Sequence, residues 1–326
     1  MTRVAVVIPN WNGREWLPGV LGSLAGQTRP ADEVIVVDNG STDGSLELLR
    51  AEHPDVRVIE LGANTGFAVA CNRGVDAAAG AALIALLNSD VVLAGDWLER
   101  MLAALTPADA SVACKMVQLD DPGTIYDAGD VLRRDGAAEQ RGRFLPDDGR
   151  WDVPGEVFSA CGGAALYRRD AFLAAGGFDE RFFLYLEDVD LGLRLRTQGW
   201  SCRYEPRAVA RHAGGATSGR LATPLPSWVE RNTLLLVARA FPLRWLPLVA
   251  YRQLAWGWHA ARGGPGAFAA FARGAASALP LLPRYGLRER RKLKRSARVP
   301  IADVVPDEPI RGPRALGYEA SRSSTT

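Results

Sequence analysis

The 326-residue chain has almost no charge excess, with 39 Lys and Arg against 37 Asp and Glu and a formal net charge of +2. That balance supplies no electrostatic footprint for a nucleic acid or an acidic polymer, and no nucleic-acid partner is expected. Cysteine is scarce too. Cys71, Cys114, Cys161 and Cys202 lie far apart, with no CxxC and no Cys/His spacing suited to zinc, which points to a reduced, cytoplasmic protein with ordinary buried thiols. No clean stretch of eighteen apolar residues occurs, so a membrane-spanning helix is disfavoured. Met1-Thr2-Arg3 runs straight into Val4 to Ile8 without the charged leader and separate apolar region of a signal peptide, and reads as the approach to a first strand. After that strand there is no GxGxxG, which argues against a nicotinamide dehydrogenase. Pro9 to Gly13 is also not the Gly-rich, Arg- and Lys-bearing loop expected of a nucleotidyltransferase.

What is present is material for a substantial core, with 48% hydrophobic residues. The first hundred residues alternate short apolar runs with segments of helical period, the pattern of βαβ units. Val4 to Ile8, Glu33 to Val37, Val56 to Leu61 and Leu83 to Leu87 are the expected strands. Trp16 to Ala25, Ser45 to Glu52 and Phe67 to Ala79 are the expected helices between them. Strands this apolar are covered on both faces, which predicts an α/β protein with a mostly parallel central sheet flanked by helices. Each strand runs into a polar turn: Pro9 to Gly13, Asp38 to Gly44, and Asn88-Ser89-Asp90. Ligands of open α/β sheets sit outside the carboxyl ends of the strands, so these three clusters sketch one site.

Beyond about Ala110 the alternation fades, and Asp120 to Asp152 reads as loops or short antiparallel pieces. Order returns at Ala160 to Tyr167, a helix near Asp170 to Ala175, a helix over Glu187 to Gln198 and a strand over Cys202 to Glu205. From Trp228 to Pro283, Leu, Ala, Trp and Phe are interleaved with Arg239, Arg244, Arg252, Arg262 and Arg273, and a basic run, Arg288 to Arg298, follows. That composition fits helices in a membrane interface, and equally a helical subdomain packed on the core. The expected organisation is a main domain over residues 1–225, divided near residue 110, a helical and possibly membrane-interfacial extension over 226–296, and a disordered tail over 297–326.

The chemistry concentrates at a few carboxylates. Asp38 ends an apolar strand, where it can accept hydrogen bonds from a nucleobase or ribose, while Thr42 or Asp43 caps the next helix. Asp90 follows another such strand, the placement a hard divalent cation bridging diphosphate oxygens requires. Glu187, Asp188 and Asp190 open a helix whose amino end favours negative charge, and Asp190 with Arg194 forms an i,i+4 pair. At helical spacing Glu187 and Asp190 lean to one side while Asp188 points about 100° away, which makes Asp188 the choice for a general base. His212 lies in a polar, Gly-rich setting and reads as either a structural residue or a ligand.

In their order, these segments resemble family 2 glycosyltransferases with the GT-A fold, in particular bacterial rhamnosyltransferase-like members. The matching pieces are Val7 to Gly13, Ser23-Leu24 with Gln27-Thr28, Asp38 to Ser45, Asn64 to Ala68 with Asn72 and Gly74, Leu87 to Asp90, Gly176 to Asp179, Tyr185 to Leu191, Gly199-Trp200 and His212. The resemblance spans roughly residues 3–240 and implies an inverting, divalent-metal-dependent transferase. It assigns Asp188 as base and Asp90 with His212 as ligands of Mn²⁺ or Mg²⁺. It also implies a nucleotide-sugar site of Pro9, Asn10, Asn12, Asp38, Asn39, Gly66, Asn72, Asn88, Ser89 and Asp90, with Glu187, Asp190 and Trp200 supporting the acceptor or the helix start. Asn88 stands where many members carry an Asp, which removes one negative charge. The implied donor is dTDP-rhamnose, with UDP-galactofuranose or UDP-N-acetylglucosamine as alternatives, and the implied acceptor is a polyprenyl-diphosphate-linked sugar or a growing surface glycan, met peripherally at the inner face of an anionic membrane. A processive synthase would bring spanning helices and a QxxRW-type segment, which are missing. A non-catalytic nucleotide-sugar-binding protein is the alternative outside enzymes, and the joint presence of Asp90, Asp188 and His212 argues against it.

Overall fold

The computed structural model describes residues 2–214 and 223–307. They form two compact units, one of residues 2–131, 139–214 and 297–299, the other of residues 132–138, 223–296 and 300–307.

The first unit begins with β1 (Val4–Asn10), α1 (Leu17–Ala25), β2 (Glu33–Asp38), α2 (Ser45–Glu52), β3 (Arg57–Glu60), α3 (Phe67–Ala77) and β4 (Leu83–Leu87). Side chains of a strand alternate between faces, and here both faces are covered. Ala5, Val7, Ile35, Val37, Ile84 and Leu86 pack with Ala68, Cys71 and Val75 of α3. Val4, Val6, Ile8, Val36, Ala85 and Leu87 pack with Leu17, Val20 and Leu24 of α1 and Leu49 of α2 on the other side. Gly74 lets α3 sit close: a Cβ there would lie 2.2 Å from Val7 Cγ1 and 3.1 Å from Val37 Cγ2.

There follow β5 (Val91–Leu93), α4 (Trp97–Ala104), β6 (Asp109–Gln118), β7 (Ile125–Asp127), β8 (Asp130–Leu132), β9 (Ala138–Gln140), β10 (Gly155–Val157), β11 (Ala164–Arg168), α5 (Arg169–Ala174), α6 (Glu187–Thr197) and β12 (Ser201–His212). The sheet runs β10-β12-β6-β11-β4-β1-β2-β3, with β5 paired to β12 and β7 to β6. The parallel arrangement expected of most of the sheet holds for β4-β1-β2-β3. The other half is mixed, because β11 enters antiparallel between β4 and β6, while β6 and β12 run parallel. The four cysteines are free, and burial pushes the Cys114 and Cys202 thiols up to about 12.

The second unit is helical, with α7 (Leu225–Ala240), α8 (Leu246–Arg262) and α9 (Pro265–Ala278), then short helical turns to Ser296. α7 and α9 cross closely at Gly274, where a Cβ would lie 2.6 Å from the Ser227 carbonyl oxygen, and Ser227 Oγ donates to the Ala270 carbonyl at 2.8 Å. None of the described helices is long and apolar enough to cross a membrane. Of the tail expected from residue 297, residues 297–307 carry a short helix, Ile301–Val304, and residues 308–326 lie outside the described residues.

Candidate active site

The parallel register aligns Asn10 of β1 with Asp38 of β2, so their polar ends meet at the carboxyl edge of the sheet. Asn10 Nδ2 donates to Asp38 Oδ2 at 3.1 Å and to Ser41 Oγ at 3.2 Å. The backbone N–H groups of Gly40 and Ser41 donate to Asp38 Oδ1 at 3.2 and 3.0 Å. Asn12, in the left-handed region at φ 53°, is knitted to the same loop: its N–H donates to Ser41 Oγ, and its Oδ1 accepts from the Thr42 N–H. Pro9 lies in β1 opposite Val37. Buried Ser89 closes on this cluster, because a Cβ on Gly13 would sit 2.4 Å from Asn10 Oδ1 and 3.0 Å from Ser89 Oγ. Asn10 Oδ1 is buried without a partner, an open acceptor among otherwise saturated groups.

Asn39 and Asn72 are placed differently. Asn39 accepts from the N–H and Oγ1 of Thr65 and donates to Asn64 Oδ1 and the Gly66 carbonyl, so its amide fixes the loop before α3. Asn72 exchanges hydrogen bonds with the N–H and carbonyl of Phe178. Gly66, at φ 94°, passes so close to Phe183 that a Cβ would be 2.6 Å from its ring. Each amide is spent on chain-to-chain ties that shape the rim.

The antiparallel pairing of β5 with β12 sets His212 opposite Val91 and so beside Asp90. His212 Nε2 lies 3.3 Å from Asp90 Oδ1 and 3.0 Å from Asn88 Nδ2. Both His212 and Asp90 are buried. His212 is the last residue of β12, a longer strand than the sequence suggested. Burial pulls its pKa below the ordinary 6.5; Asp90 opposes that and Arg143 adds to it, so the imidazole is held neutral, the form that ligates metals.

Asp188 enters from α6. Phe183, Tyr185 and Leu186 all adopt left-handed φ values, 62°, 71° and 65°, a costly conformation for non-glycine residues that over-determined sites retain. Asp188 is half-buried; its Oδ2 accepts from the Gly162 N–H and its Oδ1 from the Val189 N–H, both at 2.8 Å. Burial raises its pKa above the usual carboxylate value, against the lowering effect of these N–H donors. Glu187 and Asp190 point inward. Glu187 is buried and burial raises its pKa well above the ordinary range, with the Asp188 charge adding to the shift. Asp190 is ion-paired to Arg194 Nη2 at 2.9 Å, and Arg194 also holds the Ala175 and Gly177 carbonyls. Trp200 packs on the core beyond the other end of α6, its N–H donating to the Leu195 carbonyl. At 1.5 Å per residue that is roughly 15 Å from the helix start, so Trp200 does not support that start.

Gly162-Gly163 joins the two halves. Gly162 donates to Asp188, and the Gly163 carbonyl accepts from the Asn88 N–H at 2.8 Å. A Cβ on Gly163 would meet Asn88 Nδ2 at 3.4 Å and His212 Nε2 at 3.5 Å. Asp188 and the Asn88/Asp90/His212 group thus share one dipeptide. A cavity of about 600 Å³ elsewhere, lined by Thr2, Arg29, Leu83, Arg168 and Asp170 among others, includes none of these residues.

A sequence profile of glycosyl transferase family 2 matches residues 5–174. The chain is also 32% identical over 270 residues to the N-acetylglucosaminyl-diphospho-decaprenol L-rhamnosyltransferase of Mycobacterium tuberculosis, covering 74% of this chain and 87% of that one. The chain belongs to glycosyltransferase family 2. Two solved structures share its fold. GalNAc-T7 with UDP, GalNAc and Mn²⁺ aligns at a TM-score of 0.61 and 14% identity, over 88% of this chain and 58% of that one. The mannosyltransferase PcManGT from Pyrobaculum calidifontis with GDP-Man and Mn²⁺ aligns at 0.54 and 21% identity, over 90% and 85%. The fold is therefore GT-A.

Several site residues of this family 2 glycosyltransferase escaped the sequence reading. Gly162 and Gly163 were signalled only by a glycine pair ahead of an apolar run. Tyr126 stacks on His212 with ring centroids 4.3 Å apart. Asp127 and Asp130 lie in the stretch read as loops. Burial raises the Asp127 pKa to about 7, with the Asp188 charge adding to it. Asp130 is raised further by burial, by the Asp127 and Asp188 charges and by a hydrogen bond to the Asp127 carboxyl, while Ser159 Oγ donates to it at 2.8 Å.

Proposed function

We propose that this glycosyltransferase moves a sugar from a nucleoside diphosphate to an acceptor hydroxyl in a single displacement that inverts the anomeric centre. The observation that carries this reading is the Gly162-Gly163 bridge, which gathers Asp188, Asn88 and His212 around one turn. Asp188 takes the proton of the acceptor hydroxyl as its oxygen bonds to the anomeric carbon. The bond from that carbon to the diphosphate breaks, and its electron pair leaves with the diphosphate. A carboxylate raised by burial is a stronger base than an ordinary one, nearer the pKa that general-base catalysis at neutral pH favours. The open Oδ1 of Asn10, beside Asp38, suits an N–H or hydroxyl of the nucleoside.

The residues present fit a divalent cation. Asp90 Oδ1 and His212 Nε2 converge at 3.3 Å with the imidazole neutral, and a cation on Nε2 would take the place of the Asn88 Nδ2 contact at 3.0 Å. No group of three His, Cys, Asp or Glu gathers among the described residues, so a nucleotide diphosphate is needed to complete the shell. Held by Asp90 and His212, Mn²⁺ or Mg²⁺ would act as a Lewis acid toward the departing diphosphate.

The rhamnosyltransferase relative supports rhamnose as the sugar moved and a polyprenyl-diphosphate-linked sugar as acceptor, and the donor that the sequence resemblance implies for that sugar is dTDP-rhamnose. A UDP-sugar is the second reading, favoured by the UDP in the GalNAc-T7 structure. The acceptor's lipid implies work at a membrane surface, and α8 supports that. It buries Arg252 but exposes Tyr251, Leu254 and Trp258 by 62%, 76% and 67%, spaced as one stripe. Glu230 and Glu289, the only acids of residues 223–300, are both buried, while Arg and Lys recur throughout. An apolar stripe on a stretch whose only two acids are buried and whose basic residues recur suits an anionic lipid headgroup layer.

The test is transfer by the purified chain with Mn²⁺ to N-acetylglucosaminyl-diphospho-polyprenol, from dTDP-rhamnose, UDP-galactofuranose and UDP-N-acetylglucosamine in parallel. Product from dTDP-rhamnose is expected. Product from a UDP-sugar alone would move the donor assignment, and product from none would overturn the reading.

A further inference from the structure

We propose that Arg143 is a diphosphate-binding residue, its guanidinium held one aromatic ring away from His212 to pair with phosphate oxygens of the donor. The inference rests on the nucleotide-sugar reading above and adds a residue that neither the motifs nor the carboxylates supplied.

The loop carrying Arg143 is fixed against the site. The Ile125 N–H donates to the Leu145 carbonyl at 2.8 Å and the Phe144 N–H to the Ile125 carbonyl at 2.9 Å. Lys115 Nζ ties the same loop through Asp147 at 2.9 Å and Asp152 at 2.7 Å. Arg143 Cζ then lies 4.7 Å from the centre of the Tyr126 ring and 4.8 Å from that of Phe144. Tyr126 in turn packs against the His212 ring, with centroids 4.3 Å apart. Stacking occupies the faces of a guanidinium and leaves the N–H donors at its edge available for planar, bidentate contact with an anion.

Those donors are unspent. Among the described residues the Arg143 guanidinium makes no side-chain hydrogen bond and no ion pair, whereas other arginines of the same unit are consumed. Arg141 donates to the Ala128 carbonyl, Arg150 pairs with Asp148, and Arg181 pairs with Asp179. The positive charge lies against the Tyr126 ring, which itself contacts His212. Charge balance supplies the need. The two charges of the donor diphosphate and that of Asp90 together exceed what one divalent cation offsets, and the exposed guanidinium of Arg143 reduces the excess.

The experiment compares Arg143→Gln and Arg143→Lys with wild type in the full chain, by calorimetric binding of UDP against uridine and dTDP against thymidine, each with Mn²⁺ and with chelator. Melting temperature reports the fold. Arg143→Gln is expected to weaken diphosphate binding by roughly tenfold or more, with nucleoside binding and melting unchanged, and Arg143→Lys to recover part of the loss. Equal weakening toward nucleoside and diphosphate, or none toward either, overturns the assignment of Arg143. Absence of any nucleotide binding by wild type would instead overturn the nucleotide-sugar reading itself.

Discussion

Asp127 shows how burial changes what a carboxyl does. Its Oδ1 accepts from the Gly129 N–H at 2.7 Å, and its buried carboxyl meets that of Asp130. Desolvation comes first in raising its pKa from 3.8 to about 7; Asp188 adds to the shift, and Arg143 and Arg141 oppose it. The fold therefore prefers the protonated form. The stability this preference contributes is whole below about pH 3.8 and fades as pH rises through about 7. Asp127→Asn should flatten the fall in melting temperature between about pH 4 and pH 8; an unchanged slope would show that Asp127 is ionised without cost. Such a residue is invisible in sequence, because Asp127-Ala128-Gly129-Asp130 reads as an ordinary turn. Asp38, Asp90 and Asp188 were legible because each sits where an apolar run or a helix begins or ends, and local periodicity fixes those places. Trp200, which the resemblance offered as support for the acceptor or the helix start, follows the far end of α6, and only the helix-start role conflicts with that place.

At the level of elements, β1 to β4 and α1 to α3 follow from alternation and period, since each is paired or covered by its near neighbours in the chain. The partners of β5, β6, β11 and β12 come from far along the chain, and no local pattern specifies them. The meeting of Asp90 with His212 depends on that distant pairing. Gly74 marks a closer constraint. A methyl group there would collide with Val7 in β1 and force α3 off the sheet. Gly74→Ala is expected to destabilise the protein by about 1–3 kcal/mol, measured by denaturant unfolding, although alanine favours helix over glycine. A variant as stable as wild type would mean that α3 does not pack as closely as described.

For the whole molecule, the helical unit carries the open question of where the enzyme works. The exposed stripe of α8 predicts salt-sensitive partition onto vesicles containing anionic lipid, lost in Leu254→Glu/Trp258→Glu while soluble-substrate turnover and melting persist. Partition unaffected by both changes would remove α8 from that role, and a change in oligomeric state instead would assign the stripe to a second copy of the chain. The sequence left membrane and core packing open for this unit because Arg interleaved with Leu and Trp is compatible with either; which side chains face outward is a tertiary property. The central claim is transfer with Asp188 as base. Its most direct test is Asp188→Asn, assayed for dTDP binding and for rhamnosyl transfer to the lipid-linked acceptor side by side. Binding should persist while turnover falls by roughly a hundred- to ten-thousand-fold, and near-normal turnover in this variant would contradict the account.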